Sequence, residues 1–96
     1  MKPYVWNEEK NEWLKQERGV SFEDVVLAIQ EEKILDIIKH PNQRRYLKQN
    51  IYVLEIGEYA YLVPFVEDED KIFLKTIFPS RKYTREYIEK GEIWNR

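Results

Sequence analysis

A chain of 96 residues with 43% apolar and 15% aromatic content can bury one modest core, which excludes a disordered segment and predicts a single domain over 1–96. The lack of cysteine excludes disulfides and thiolate metal sites. Early acidic residues and the lack of a long apolar run argue against a signal peptide or a spanning helix, so a cytoplasmic protein with no membrane partner is expected. The net charge of -2 conceals four blocks. Residues 1–32 carry -4, 33–50 carry +4, 51–70 carry -6 and 71–96 carry +4. A fold that joins the two basic blocks could hold an anion despite the acidic total.

In chain order, "NEEKNEWLKQERG" predicts a helix. Asn7 suits its N-cap, Glu8 and Glu9 the positive end of the dipole, and Gly19 the C-terminal cap. Its apolar face is thin, Trp13 with Leu14, and Lys10 projects from the same side by i+3 and i+4 spacing. "SFEDVVLAIQEE" predicts a second helix, because Ser21 and Asp24 have capping-box spacing and Phe22, Val25, Val26 and Ile29 form a core-facing stripe. "ILDIIKH" predicts a strand that ends at His40-Pro41, and "PNQRRYLKQN" a loop bearing Arg44, Arg45, Tyr46 and Lys48.

"IYVLEI" and "YAYLVPFV" predict a hairpin across Gly57-Glu58, a two-residue turn with Gly first, as type II′ requires. "VEDEDK" turns again into "KIFLKTIF", giving an antiparallel meander joined by the 34–39 strand. Alternation puts Tyr52, Leu54, Ile56, Tyr59, Tyr61, Val63, Phe65, Ile72, Leu74 and Thr76 on a face that meets the helices. Val53, Glu55, Ala60, Leu62, Pro64, Phe73, Lys75 and Ile77 fall on a second face, partly open to water or a partner. Pro64 argues for a bulge in its strand. After Phe78-Pro79, Ser80 caps a last helix that ends near Gly91.

The chemistry-bearing residues form no metal constellation. His40 is the lone histidine, and "EDED" lacks the glycine and distal glutamate of a calcium loop and reads as a solvated turn. Ser21 and Ser80, the only serines, stand at helix starts, where capping explains them. What remains is cationic and phenolic: Lys10, Lys75, Arg81, Arg85, Tyr83 and Tyr87, with Arg44, Arg45 and Tyr46 from the loop. Cations can hold the charge of a phosphorane and aromatic rings can stack on splayed bases. The plainer reading pairs Arg85 and Lys82 with Glu86, Glu89 or Glu92 on the helix surface.

Trp6 to Val25, "WNEEKNEWLKQERGVSFEDV", resembles the opening signature of the BrnT family of toxin-antitoxin toxins, a W-[DN]-x-x-K-N start followed by G-[VI]-S-F-E-[DE]. "IFLKTIFPSRKYTREY" resembles the same family's closing signature, a strand followed by S-x-R-x-x-[TR]-x-x-x-Y or close variants. The likeness places Lys10 at the motif's lysine, Arg81 and Arg85 at or beside its basic positions, and Tyr87 at its aromatic. It implies an α+β, RelE-like fold of the RelE/ParE superfamily, with two N-terminal helices and one C-terminal helix around a roughly four-stranded antiparallel sheet. The implied activity is metal-independent endoribonuclease cleavage of RNA, with no cofactor. The implied partner is a cognate antitoxin with a ribbon-helix-helix DNA-binding domain, in an assembly left open between a homodimer and a toxin-antitoxin hetero-oligomer. Lys10, Lys75, Arg81 and Arg85 would then be catalytic, and Tyr83, Tyr87, Arg44, Arg45 and Tyr46 would hold substrate. The chain departs from the family in its pI near 5.5, in Phe78-Pro79-Ser80 and in Glu17-Arg18. The other reading is a non-catalytic interaction module that binds a partner through Val53, Leu62, Phe73 and Ile77 and an Ile93-Trp94 tail.

Overall fold

The computed structural model describes residues 2–39, 42 and 49–89. Its elements are β1 (Tyr4–Val5), α1 (Glu8–Arg18), α2 (Phe22–Gln30), β2 (Ile34–Lys39), β3 (Gln49–Ile56), β4 (Tyr59–Glu67), β5 (Ile72–Leu74), β6 (Phe78–Pro79) and α3 (Arg81–Tyr83). From α3 the chain continues into a π-helix over Thr84–Glu89. The architecture is α+β.

The N-terminal helices form where the caps predict. The Asn7 side chain accepts from the Lys10 N–H, and Gly19 takes the left-handed conformation at φ 67° that ends α1 without a Cβ penalty. Ser21 and Asp24 bond reciprocally across the start of α2. Between them, buried Asn11 joins the helices: its carbonyl accepts from the Phe22 N–H at 2.8 Å and its amide donates to Glu23 at 2.8 Å. Trp6 stacks on Phe22 with ring centroids 5.6 Å apart. Most of the opening motif therefore folds the corner between α1 and α2. Trp13 departs from the expected apolar face: it is 43% exposed, and Leu14 alone carries that face into the core.

The sheet is larger than the four antiparallel strands expected. Among the described residues it has six, in the order β1-β5-β4-β3-β2, with β6 also on β4, and β1 pairs with β5 in parallel. The two additions are dipeptides, too short for any periodicity to mark. The Gly57-Glu58 turn has φ of 59° and 64°, so both central residues are left-handed and the turn is of type I′ rather than II′.

Pro64 causes no bulge in the β3–β4 ladder, which runs unbroken from Gln49–Val66 to Ile56–Tyr59. Its carbonyl accepts from the Lys75 N–H, so its nitrogen faces the same side, away from β3. There β6 reaches no further than Leu62 and β5 ends at Leu74, opposite Phe65, so the missing N–H falls between the two strand pairings. The bulge lies instead in β2, where the register shifts between Ile34 and Asp36.

Alternation assigns the helix-facing side well. Tyr52, Leu54, Val63, Phe65, Ile72 and Leu74 form one buried cluster with Leu14, Phe22, Val25 and Ala28. Ile77 joins it, against expectation, because β5 ends at Leu74 and the strict alternation of strands ends with it. The second face is also less open than expected. Val53 and Ala60 are fully buried on it.

Candidate functional site: a cationic helix across the sheet

What covers the second face is the C-terminal helix, and its attachment can be followed bond by bond. Ser80 Oγ accepts from the Tyr83 N–H and opens the helix. Thr84, 2% exposed, donates its hydroxyl to the Ser80 carbonyl at 2.7 Å and accepts from the Ala60 N–H at 2.8 Å. That second bond satisfies a buried β4 donor beyond the reach of β6. Farther on, the Tyr87 hydroxyl donates to the Asp36 carboxylate on β2 at 2.9 Å. Asp36 pairs with Val53, so the helix runs over the second face from β4 to β2.

The outward side of this helix is cationic. Arg81, Lys82 and Arg85 are exposed and, with Glu86, line an open depression of about 350 Å³. Tyr83 stacks on Tyr87 at 5.9 Å, and the Lys82 ammonium lies 5.5 Å from the Tyr83 ring. The surface pairing of Arg85 or Lys82 with Glu86 or Glu89 is not formed; among the described residues the ion pairs are Lys2–Glu67, Lys15–Glu12 and Lys71–Asp68. The Tyr87 phenol is held above its ordinary pKa, first by the hydrogen bond to Asp36 and then by burial and the nearby carboxylates of Asp36 and Glu86.

The other expected residues are scattered. Lys75 is exposed on the second face, where its ammonium donates to Gln49 at 3.1 Å. It stands level with Pro64, two residues (roughly 7 Å) along β4 from the Leu62–Val53 pair. Lys10 lies on α1, on the opposite side of the sheet, with its ammonium 4.3 Å from the Trp13 ring. Arg18 approaches the same ring at 5.0 Å and donates to the Ile77 carbonyl. One phosphate on the second face can therefore meet Lys75 but not Lys10. His40, Arg44, Arg45, Tyr46, the end of the last helix at Gly91 and the Ile93-Trp94 tail lie outside the described residues.

The interaction face drawn from sequence also changes. Val53 and Ile77 have no exposed surface, so they cannot bind a partner in this fold. Among the described residues, the exposed large apolar side chains are Trp13, Leu27 and Ile37, with Tyr87 among the aromatics. The "EDED" tip is an exposed turn in which Asp68 accepts from the Asp70 and Lys71 N–H groups and the Lys71 ammonium. No group of three or more His, Cys, Asp or Glu among the described residues is placed to hold a metal. No described helix is long and apolar enough to cross a membrane.

Two residues that matter here are not singled out by sequence patterning. Asp36 is the only acid in the basic block 33–50, a signal that could have found it. Thr84 is the only small polar residue between the two Arg-Tyr pairs of the last helix. Compared with family models, curated proteins and solved structures, the chain matches none.

Proposed function

We propose that the protein is the toxin of a type II toxin-antitoxin system, a cytoplasmic, metal-independent endoribonuclease of BrnT type on a RelE-like fold. The reading rests on the resemblance of the opening and closing motifs. The observation that carries it is the exposed set Arg81, Lys82 and Arg85, in no ion pair among the described residues and on the same side of the sheet as Lys75. Cations in such a row favour a polyanion, and guanidinium groups match the planar geometry of phosphate oxygens. In this reading Arg81 and Arg85 grip the scissile phosphate and stabilise the phosphorane. Lys75 serves as base or charge stabiliser, and Tyr83 offers its ring to a base. Lys10, across the sheet, is left to its contact with Trp13. A ribbon-helix-helix antitoxin would silence the enzyme by covering this face.

The test is expression of the chain alone and with the product of its neighbouring gene, with RNA cleavage measured in EDTA. Toxicity alone, rescue by the neighbour and cleavage that persists in EDTA are expected. Arg81→Ala with Arg85→Ala should abolish cleavage in a folded protein; undiminished cleavage would remove the site assignment.

A second reading, a partner-binding module without nuclease activity, is favoured by the exposed Trp13, Leu27 and Ile37. It predicts a stable complex with the neighbour's product and no cleavage under any condition.

A further inference from the structure

The cationic face is carried by a segment of mixed helical geometry. Only Arg81–Tyr83 are α-helical, and Thr84–Glu89 follow the wider, rarer π geometry. Among the described residues, two side-chain hydrogen bonds attach the segment to the sheet. Thr84 on Ala60 fixes a point close to the start of the helix, about which the rest could still swing. Tyr87 on Asp36 fixes a second point one turn farther along and removes that freedom.

The bulge in β2 explains why a carboxylate waits there. Ile34 pairs with Leu54 and packs against the helix-side core. By strict alternation Asp36 would share that face, on the side of the sheet away from the C-terminal helix. The register shift between Ile34 and Asp36 instead sets Asp36 opposite Val53, under the C-terminal helix. There both carboxylate oxygens are engaged, one by the Ile37 N–H at 2.8 Å and the other by the Tyr87 hydroxyl.

We propose that Asp36 is the positioning residue of the cationic face: by holding Tyr87 it fixes the angle at which the helix presents Arg81, Lys82 and Arg85. The inference rests on the reading of that face as an RNA site, and it removes Tyr87 from the base-stacking set. It also makes a prediction of counter-intuitive sign. A carboxylate near three cations repels a polyanion, so if charge alone mattered its removal would tighten binding.

The experiment measures binding of a single-stranded polyuridylate oligomer by fluorescence anisotropy for wild type, Asp36→Ala, Asp36→Asn, Tyr87→Phe and the Ala/Phe double variant. Asp36→Ala and Tyr87→Phe should each weaken binding by roughly three- to tenfold, and the double variant no further, since all three break the same hydrogen bond. Asp36→Asn, which keeps an acceptor and loses the charge, should bind at least as tightly as wild type. Equal tightening by Ala and Asn would reduce Asp36 to a repulsive neighbour and overturn the proposal. Amide hydrogen exchange over residues 84–89 gives a second readout that needs no RNA: faster exchange in Asp36→Ala and Tyr87→Phe, restored in Asp36→Asn. If the wild type binds no polyuridylate, the RNA reading fails while the exchange comparison still decides the lock. Unchanged exchange in both variants would sink it.

Discussion

Lys10 and Asn11 stand side by side in the opening motif and do unrelated things. The Asn11 side chain completes the hydrogen bonding of a helix start, whereas Lys10 lies over Trp13 at the surface. Asn11→Ala leaves the buried Phe22 N–H without a partner and should cost about 2–3 kcal/mol in urea unfolding. Lys10→Ala should cost under about 1 kcal/mol, the scale of an exposed cation–π interaction. Thr84→Val, nearly isosteric, deprives the Ala60 N–H of its acceptor and should cost about 1–3 kcal/mol by the same measurement. The Tyr87 hydrogen bond adds a pH dependence whose sign is fixed. Its phenol is raised above the ordinary 10.0, first by the hydrogen bond to Asp36, then by burial, Glu86 and Tyr83. The stabilisation is therefore complete below pH 10 and is lost as pH climbs through the raised value. Tyrosinate absorbance should show the Tyr87 phenol titrating above the ordinary value, below the still later, buried Tyr52, and Asp36→Ala should bring Tyr87 alone back.

At the scale of elements, the turns hold strain that substitution can relieve. Glu58 at φ 64° and Glu32 at φ 60° are left-handed without being glycine. Glu32 follows α2, where Lys33 N–H reaches the Ala28 carbonyl and Glu32 N–H that of Ile29, a Schellman ending that usually takes glycine. Glu32→Gly and Glu58→Gly should each raise stability by about 0.5–1 kcal/mol, read as a shift in the urea midpoint. The β4–β5 turn responds to acid instead. Backbone donors at Asp70 and Lys71, with the Lys71 ammonium, hold Asp68 down to about 2, so its contribution is full above its ordinary 3.8 and fades as pH falls toward the lower value. These elements also mark how much of the fold the sequence carried. Helices with explicit caps and the Gly57 hairpin could be read, because their signals are local. Tyr4–Val5 and Phe78–Pro79 could not, because a dipeptide becomes a strand only when a distant partner arrives. The side on which Ile77 falls was hidden for a related reason: alternation holds within a strand, and β5 had already ended.

At the scale of the whole molecule, the sheet separates residues that the sequence had grouped. Basic residues and tyrosines near the C-terminus were legible as a set, since they lie within one helix. Which lysine accompanies them was not, because that depends on which side of the sheet each element packs. Lys75 shares the side of Arg81 and Arg85, and Lys10 does not. On the proposed nuclease reading, RNA cleavage should therefore fall at least roughly tenfold in Lys75→Ala and stay near wild type in Lys10→Ala, measured in EDTA under single-turnover conditions. If binding is to single strands, removing Arg81 or Arg85 should lower the slope of log affinity against log salt by about 0.7 for each phosphate no longer neutralised. The parallel pairing of Tyr4 with Ile72 has a bearing on folding order. Joining β1 to β5 closes the chain from residue 4 to residue 72 into one loop, and so little pairing repays that entropy that the step belongs late, after β3, β4 and β5 have condensed. Until it occurs the outer edge of β5 stays unpaired, a template for another chain. Destabilising Tyr4 or Val5 should thus speed unfolding with little change in refolding rate, and should shorten the time to aggregation during refolding at high concentration.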